Sequence, residues 1–452
     1  MCENATKMKL STEDIAKALG VSPINTNANL SLNNISIDSR DPQKDNIFIA
    51  IKGEHHNGHD FIDDAFEKGA SIAITEQHHH SHPVFVVDNT IKALGKIANY
   101  YSLLINPITI GITGTNGKTT VTNLVANILK KNNKTIQTLG NYNNSIGLPL
   151  SIMKAEDDTE YFVLEMGARK IGDIRELTAI AKPNIVALLN VSSAHLDTFH
   201  TIENILKTKE EIFEDQGYKK IVILNKDDIN FNRWHKKSSR HEIRTISRTK
   251  DADYKVTAVS PDKLLLKTYR GDMLSINIKN TEDYYIDNIL FSVALATEAG
   301  ASISDVKNGI ESFEIPSGRF NKIKGINDCT IIDSTYNANP ASFKASIDSL
   351  VSIPGDHLMI MGEMGELGND SFNHHLDVIS YAINKGTSKI FLKCSFSDKI
   401  KERYDKNIII FDNIDELKNL IYPVLNSNSV ILVKASRFMR FEEITKILEF
   451  RN

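Results

Sequence analysis

The stretch "GITGTNGKTT", residues 111–120, decides the fold. Just before it, "ITIGIT" (108–113) is a short apolar run of the kind that forms a buried parallel strand. Just after it, "TVTNLVANILKK" (120–131) places Val121, Leu124, Val125, Ile128 and Leu129 on one helical face. Strand, glycine-rich turn, Lys-Thr and amphipathic helix together make the context of a phosphate-binding loop. Glycines let backbone N–H groups approach phosphate oxygens, and the helix N-terminus adds partial positive charge. The nucleotide-binding candidates are Gly114, Thr115, Asn116, Gly117, Lys118, Thr119 and Thr120. Lys118 would reach the β- and γ-phosphates, and the Thr119 hydroxyl would face Mg²⁺. One feature breaks the general rule: the position five before Gly117, where a glycine is expected, is Ile112.

Composition narrows the class. The chain has 452 residues, enough for about three domains. Hydrophobic residues make up 41% and charged residues 24%, as in ordinary globular proteins. A net charge of −4 argues against wholesale nucleic-acid binding. Cys2, Cys329 and Cys394 lie far apart, which suits a reducing cytosol and gives no disulfide frame or zinc pattern. The polar start "MCENATKMKLSTED" has no apolar signal core, and no run approaches a membrane span. A cytoplasmic monomer without membrane insertion is the expectation.

Working outward from the loop, the pattern is α/β throughout, with three domains expected at 1–105, 106–315 and 316–452. In the first, "NIFIAIKG" and "SIAITE" read as strands with "FIDDAFEKG" helical between them. "QHHHSHP" (77–83) reads as an exposed loop rather than a metal site, because no carboxylate or cysteine sits at useful spacing. "IKALGKIANYYSLL" (91–104) is an amphipathic helix leading to Pro107. In the second, "YFVLEMG", "NIVALLNVS" and "KIVILNKDD" alternate with helical stretches, which predicts a parallel sheet. Residues 245–280 alternate polar and apolar and predict an antiparallel flap. After Pro316 the strands "TIIDS", "HLMIMGE", "KIFLKC", "NIIIFDN" and "SVILVKA" predict a second, Rossmann-like α/β unit.

Three residues after the loop carry chemistry. Glu165 ends the strand "YFVLE", at the carboxyl edge where Mg²⁺-phosphate chemistry sits. His195, in "NVSSAHLDTF" (190–199), follows the next strand and falls on the same edge. Lys209 lies on the apolar stripe of "ENILKTKEEIF", with Ile205, Leu206, Ile212 and Phe213. On pattern alone, such a lysine snorkels. If it is buried instead, its pKa falls and the neutral amine could take up carbon dioxide as a carbamate, an anionic oxygen ligand for Mg²⁺.

These motifs resemble the Mur ligase family, ATP-dependent enzymes that join a carboxylate to an amine through an acyl phosphate. The family also includes folylpolyglutamate synthases. "TGTNGKTT" is similar to its loop, and the glycine spacing is then a family habit. Glu-Met-Gly-Ala, Asn-Val-x-x-Ala-His and Lys-x-Lys-x-Glu-Ile resemble its metal and lysine motifs, which implies a carbamylated Lys209. Other stretches look like the members that add D-Ala-D-Ala to a UDP-N-acetylmuramoyl tripeptide. They are "GNYNNSIGLPLSI" (140–152), "DSTYNANPAS" (333–342), "MGEMGELGNDSFNHH" with His375, and "VKASRFMR" (433–440). "SIDSR" and "FIAIKGEHHNGHDFI" resemble the uridine-nucleotide domain.

The resemblance implies an N-terminal UDP-substrate domain, a central ATPase domain and a C-terminal domain that brings the dipeptide. It implies ATP and Mg²⁺ as cofactors. Ser39 and Arg40 would lie near the UDP, Asn143 and Asn144 at the muropeptide, Asn288 on the adenine side, and Tyr336, Asn337 and Asn339 at substrate. Thr119 and Glu165 would serve one Mg²⁺, and His195 and carbamylated Lys209 another. Lys118 and Arg319 of "SGRF" would neutralise the transferred phosphate. Bringing three ligands together implies domain closure. The chain departs from the pattern at Ser334, where the family has a second Asp beside Asp333, at Tyr284-Tyr285 in place of His-Asn, and at Asn57 in place of Asp. The alternatives are another amide ligase of the family and a switch that hydrolyses ATP without making a bond.

Overall fold

The computed structural model describes residues 8–40, 45–192 and 196–450. Its elements divide between two compact units. One holds residues up to Leu189 together with Lys207–Ser312, and the other holds Asn190–Leu206 and the chain from Phe313 onward.

The first unit carries a short antiparallel pair, Leu10–Ser11 with Ser31–Leu32, and two larger sheets. The smaller of these two is wholly parallel and runs in sequence order through β1 (Asn34–Ser36), β2 (Asn46–Ile49), β3 (Ala70–Thr75) and β4 (Val84–Val86). Phe48, Ala50, Ile62, Ala65, Ala73 and Val84 form its core. The histidine loop before β4 is largely exposed, with Gln77, His78, His80 and Ser81 at the surface and His79 and His82 half-buried. His79 and His82 each bring Nε2 to Asp63 Oδ1, at 3.3 and 3.0 Å, and the His82 ring stacks on Phe66.

Helix α1 (Thr90–Ile105) starts where Asn89 accepts the Lys92 N–H and stops where Asn106 turns left-handed, φ 54°, before Pro107. The proline removes the donor that another turn would need. Its apolar face packs on the helices Gly147–Ile152 and Asp173–Ala181. Gly95 lies against Ile180, and Asn99 donates to the carbonyls of Ala179 and Ile180.

The larger sheet contains β5 (Ile108–Thr113), β6 (Thr135–Gln137), β7 (Tyr161–Glu165), β8 (Ile185–Leu188), β9 (Ile221–Asn225) and β10 (Glu242–Ser247), with helix α2 (Lys118–Leu129) between β5 and β6. Their order is β6-β7-β5-β8-β9-β10, all parallel. The interiors of β5, β7, β8 and β9 are fully buried, which explains their unbroken apolar runs. The expected flap is an extension of this sheet. Tyr254–Ser260 joins β10 in parallel, and Lys263–Lys267 and Met273–Asn277 follow antiparallel at the edge. Helices α3 (Asp283–Glu298) and α4 (Ile303–Glu311) pack on α2.

The second unit has a six-stranded sheet. In spatial order its strands are Asn321–Lys324, Thr330–Asp333, Ser429–Lys434, Asp356–Gly362, Lys389–Lys393 and Ile408–Ile410. Only the first is antiparallel to its neighbour, the Rossmann-like arrangement expected. No helix among the described residues is long and apolar enough to cross a membrane.

Candidate active site

Strand β5 ends at Thr113, and α2 begins at Lys118. Only Gly114 to Gly117 separate them. Ile112, where the general rule wants glycine, is a buried strand residue paired in register with Glu165. The turn therefore needs glycine at its two ends. Gly117 sits at φ 85°, and a Cβ there would fall 2.5 Å from Asn288 Oδ1. Glycine is demanded both by the backbone and by that close approach.

Lys118 Nζ donates to the carbonyls of Gly114 and Thr115, at 2.9 and 3.0 Å. Lys209 Nζ donates to the same Gly114 carbonyl, also at 2.9 Å. The snorkelling expected on pattern alone is overturned: Lys209 is 5% exposed. Burial, and then the charge of Lys118, push its amine well below the ordinary lysine range. Its neighbours hold it inward. Glu210 is clamped by Arg233 and Lys237, at 2.5 and 2.6 Å. The Glu211 carboxylate accepts the N–H groups of Gly172 and Arg175, at 2.7 and 3.0 Å. Lys220 then caps the carbonyls of Ile212 and Glu214.

Glu165, at the carboxyl end of β7, is 3% exposed. Its Oε2 accepts the Thr119 hydroxyl at 2.6 Å, and its Oε1 accepts Asn143 Nδ2 at 2.7 Å. The Thr138 hydroxyl oxygen accepts the Glu165 N–H at 3.0 Å. Sequence reasoning did not single out Thr138, and an isolated threonine gives no pattern to find it by. The expected substrate residue Asn143 is engaged with Glu165, while Asn144 Oδ1 accepts the N–H groups of Ile146 and Gly147 at the start of a helix. Asn288 is buried beside Gly117, and Tyr285 is buried one turn before it. Arg40 forks onto the exposed Asp38, at 2.9 and 2.7 Å, and holds that carboxyl down at about 2. Ser39 beside it is half-buried. His195 lies outside the described residues.

In the second unit, Asp333 spends its carboxylate on its own surroundings. Oδ2 accepts the Gly318 N–H at 2.8 Å, and Oδ1 accepts the Thr335 hydroxyl at 2.6 Å. These bonds shape the turn that carries Arg319, whose guanidinium lies 3.7 Å over the Tyr336 ring. Asn337 Oδ1 accepts the Ala338 N–H. Asn339 caps the helix Pro340–Ser352 through the Ser342 N–H. His375 is fully buried, with Nε2 accepting the Met364 N–H at 2.9 Å and Nδ1 at 2.7 Å from the Ser371 carbonyl. Burial lowers its pKa. A residue the motifs left without a role is Lys434, at the end of its strand, with three acceptors around its amine.

The geometry of the first unit fits a polyphosphate. A glycine turn opens at a helix N-terminus, one lysine lies along it, and a hydroxyl–carboxylate pair stands beside it. Among the described residues, no group of three His, Cys, Asp or Glu side chains could hold a metal ion. A divalent cation there would take its remaining oxygens from phosphate and water, as Mg²⁺ does.

Comparison with known proteins agrees over the whole chain. Residues 112–296 match the Mur ligase middle domain, 318–437 the Mur ligase glutamate ligase domain, and 31–102 the Mur ligase family catalytic domain. The UDP-N-acetylmuramoyl-tripeptide–D-alanyl-D-alanine ligase of Buchnera aphidicola subsp. Baizongia pistaciae is 31% identical, over 93% of each chain. A MurF crystal structure from Acinetobacter baumannii superposes with a TM-score of 0.91 at 26% identity, over 98% of this chain and 99% of that one. MurF from Thermotoga maritima, solved with ADP, gives a TM-score of 0.81 at 28% identity, over 92% and 96%. The chain belongs to the Mur ligase family.

Proposed function

We propose that this protein is an ATP-dependent ligase that forms the amide bond between UDP-N-acetylmuramoyl tripeptide and D-alanyl-D-alanine. The observation that carries this is the convergence of Lys118, Lys209, Thr119 and Glu165 on one phosphate loop. Its support is a full-length likeness to enzymes named for that reaction. The terminal carboxylate of the tripeptide attacks the γ-phosphate of ATP, ADP leaves, and an acyl phosphate forms. The dipeptide amine attacks that carbonyl, the amide forms and phosphate departs. Lys118 follows the charge from the loop onto the leaving phosphate, and Arg319 adds a second positive group. Asn288 orients the base, and the backbone of Gly114 to Thr120 holds the phosphates.

The oxygens of Thr119 and Glu165 suit Mg²⁺, and His195 with a carbamylated Lys209 suit a second ion. Bound Mg²⁺ neutralises phosphate charge. Carbamylation requires an amine without its proton, which the burial of Lys209 favours. Residues 1–105, with Ser39 and Arg40, would bind the UDP end. For Arg40 that means exchanging Asp38 for a phosphate. Asn143 and Asn144 would meet the peptide, residues 316–452, with Tyr336, Asn337 and Asn339, would meet the dipeptide, and Asp333 would take the place of the family's second Asp near the γ-phosphate. We place the enzyme in the cytoplasm as a monomer, free of nucleic acid.

The test is phosphate release with ATP, Mg²⁺ and UDP-muramoyl tripeptide, with and without D-Ala-D-Ala, and mass spectrometry of the product. A pentapeptide made only with both substrates is expected. Phosphate released regardless of the dipeptide would favour a hydrolytic switch.

A further inference from the structure

A lysine ending an otherwise apolar, fully buried strand needs a reason to be there. Lys434 is 3% exposed, at the carboxyl end of Ser429–Lys434 between two parallel neighbours. An ammonium has three donors. Here they meet the Asn337 carbonyl at 2.9 Å, the Ser334 hydroxyl at 3.0 Å and the Ser334 carbonyl at 3.4 Å. The Phe343 ring closes one side, 5.5 Å from Nζ. All three acceptors are neutral oxygens, because residue 334, where the resemblance places an acid, is serine in this chain. The amine therefore staples the two ends of one turn, residues 334 to 337. That turn carries Tyr336, whose ring supports the Arg319 guanidinium and lies 6.0 Å from that of Arg437.

We infer that Lys434 is a positioning residue: by stapling the Ser334–Asn337 turn it sets the Tyr336 ring and, through it, the Arg319 guanidinium. Burial, then the Arg319 charge, lower the amine's pKa to about 7, while Asp333 opposes them. The inference rests on the ligase reading only for its kinetic readout.

The test is a double-mutant cycle on ligation with Lys434→Met and Arg319→Lys. Each single change is expected to lower kcat at least tenfold, with KM for ATP within threefold. The double variant is expected to be little worse than the worse single one. Additive losses, or a Lys434→Met enzyme within threefold of the parent, would overturn the inference. Hydrogen–deuterium exchange gives a readout that needs no activity. Lys434→Met should speed exchange of the Gly318 and Tyr336 amides together, and unchanged exchange overturns the inference on its own. If Lys434→Met does not fold, Ser334→Ala, which removes one acceptor, takes its place in both measurements with the same criteria. A parent enzyme that makes no pentapeptide refutes the ligase reading, and the exchange experiment still decides this one.

Discussion

Replacing Lys209 by methionine should separate folding from catalysis. Among the described residues the Lys209 amine makes one hydrogen bond, to the Gly114 carbonyl, and that carbonyl also accepts from Lys118 at 2.9 Å. Removing Lys209 therefore leaves no orphaned acceptor and avoids the ~1–3 kcal/mol such a loss would cost. What is lost is one bond, worth about 1 kcal/mol if the amine is neutral and ~1.5–3 kcal/mol if charged. What is gained is relief from burying an amine, which costs several kcal/mol per ion when charged, and from the nearby Lys118 charge. Methionine is unbranched, apolar and adaptable, so it should fill the space. The net change should lie within about 2 kcal/mol of zero. At ~2–4 °C per kcal/mol for domains of this size, Tm should move by less than about 8 °C. Ligation, by contrast, should fall by three orders of magnitude or more, about 4 kcal/mol of transition-state stabilisation. Differential scanning calorimetry and the pentapeptide assay read the two quantities on one preparation. A variant retaining more than a tenth of parental ligation refutes the role of Lys209. A Tm loss well above 8 °C refutes the argument from burial. Lys209→Ala should in turn be partly rescued by short carboxylic acids, which supply the oxygens a carbamate would.

Three further outcomes follow from the same contacts. Gly117→Ala forces a left-handed backbone, at about 1–2 kcal/mol, and drives a methyl against Asn288. ADP affinity by calorimetry should fall at least tenfold, and unchanged affinity would show that the loop relaxes freely. Thr119→Val removes the donor to Glu165 Oε2 and should raise the Mg²⁺ concentration giving half-maximal turnover several-fold; an unshifted Mg²⁺ titration counts against the assigned pair. Lys434 gives a pH signature. Its folded pKa, about 7, lies below the ordinary lysine value. Below pH 7 the amine is charged in both states, and burial works fully against folding. Between pH 7 and about 10 the unfolded chain keeps the proton that the folded one has lost, so stability rises with pH. The Tm of the parent minus that of Lys434→Met should become more positive across that window, and a flat difference would contradict it. In Ser334→Asp, with a carboxylate beside the amine, the slope should largely vanish.

Much of this molecule was legible in local chemistry. The order strand, glycine turn, Lys-Thr and helix at 108–129 announced a phosphate loop, because each part has a local signature: an apolar run, a forced turn, a 3.6-residue stripe. The parallel sheets followed from unbroken apolar runs alternating with amphipathic helices. The end of α1 followed from Asn106-Pro107. The antiparallel edge strands after β10 were visible as alternation, but not their attachment to the parallel sheet, since strand pairing is not a local property.

The partners of the site residues were decided only in three dimensions. Lys209 has the sequence pattern of a snorkelling lysine. Its burial is set by Glu210 gripping Arg233 and Lys237 and by Glu211 capping the turn at Gly172, contacts that join residues 23 to 39 positions apart. Asn143, expected at substrate, donates to Glu165, 22 positions away, and Thr138 accepts the backbone N–H of the same residue. Lys434 reaches back 100 positions to Ser334. A sequence records which groups are present and how they repeat, and that fixed the elements and the loop here. Which buried amine meets which carbonyl depends on sheet order and on the depth of each strand end, and those exist only once the chain has closed on itself.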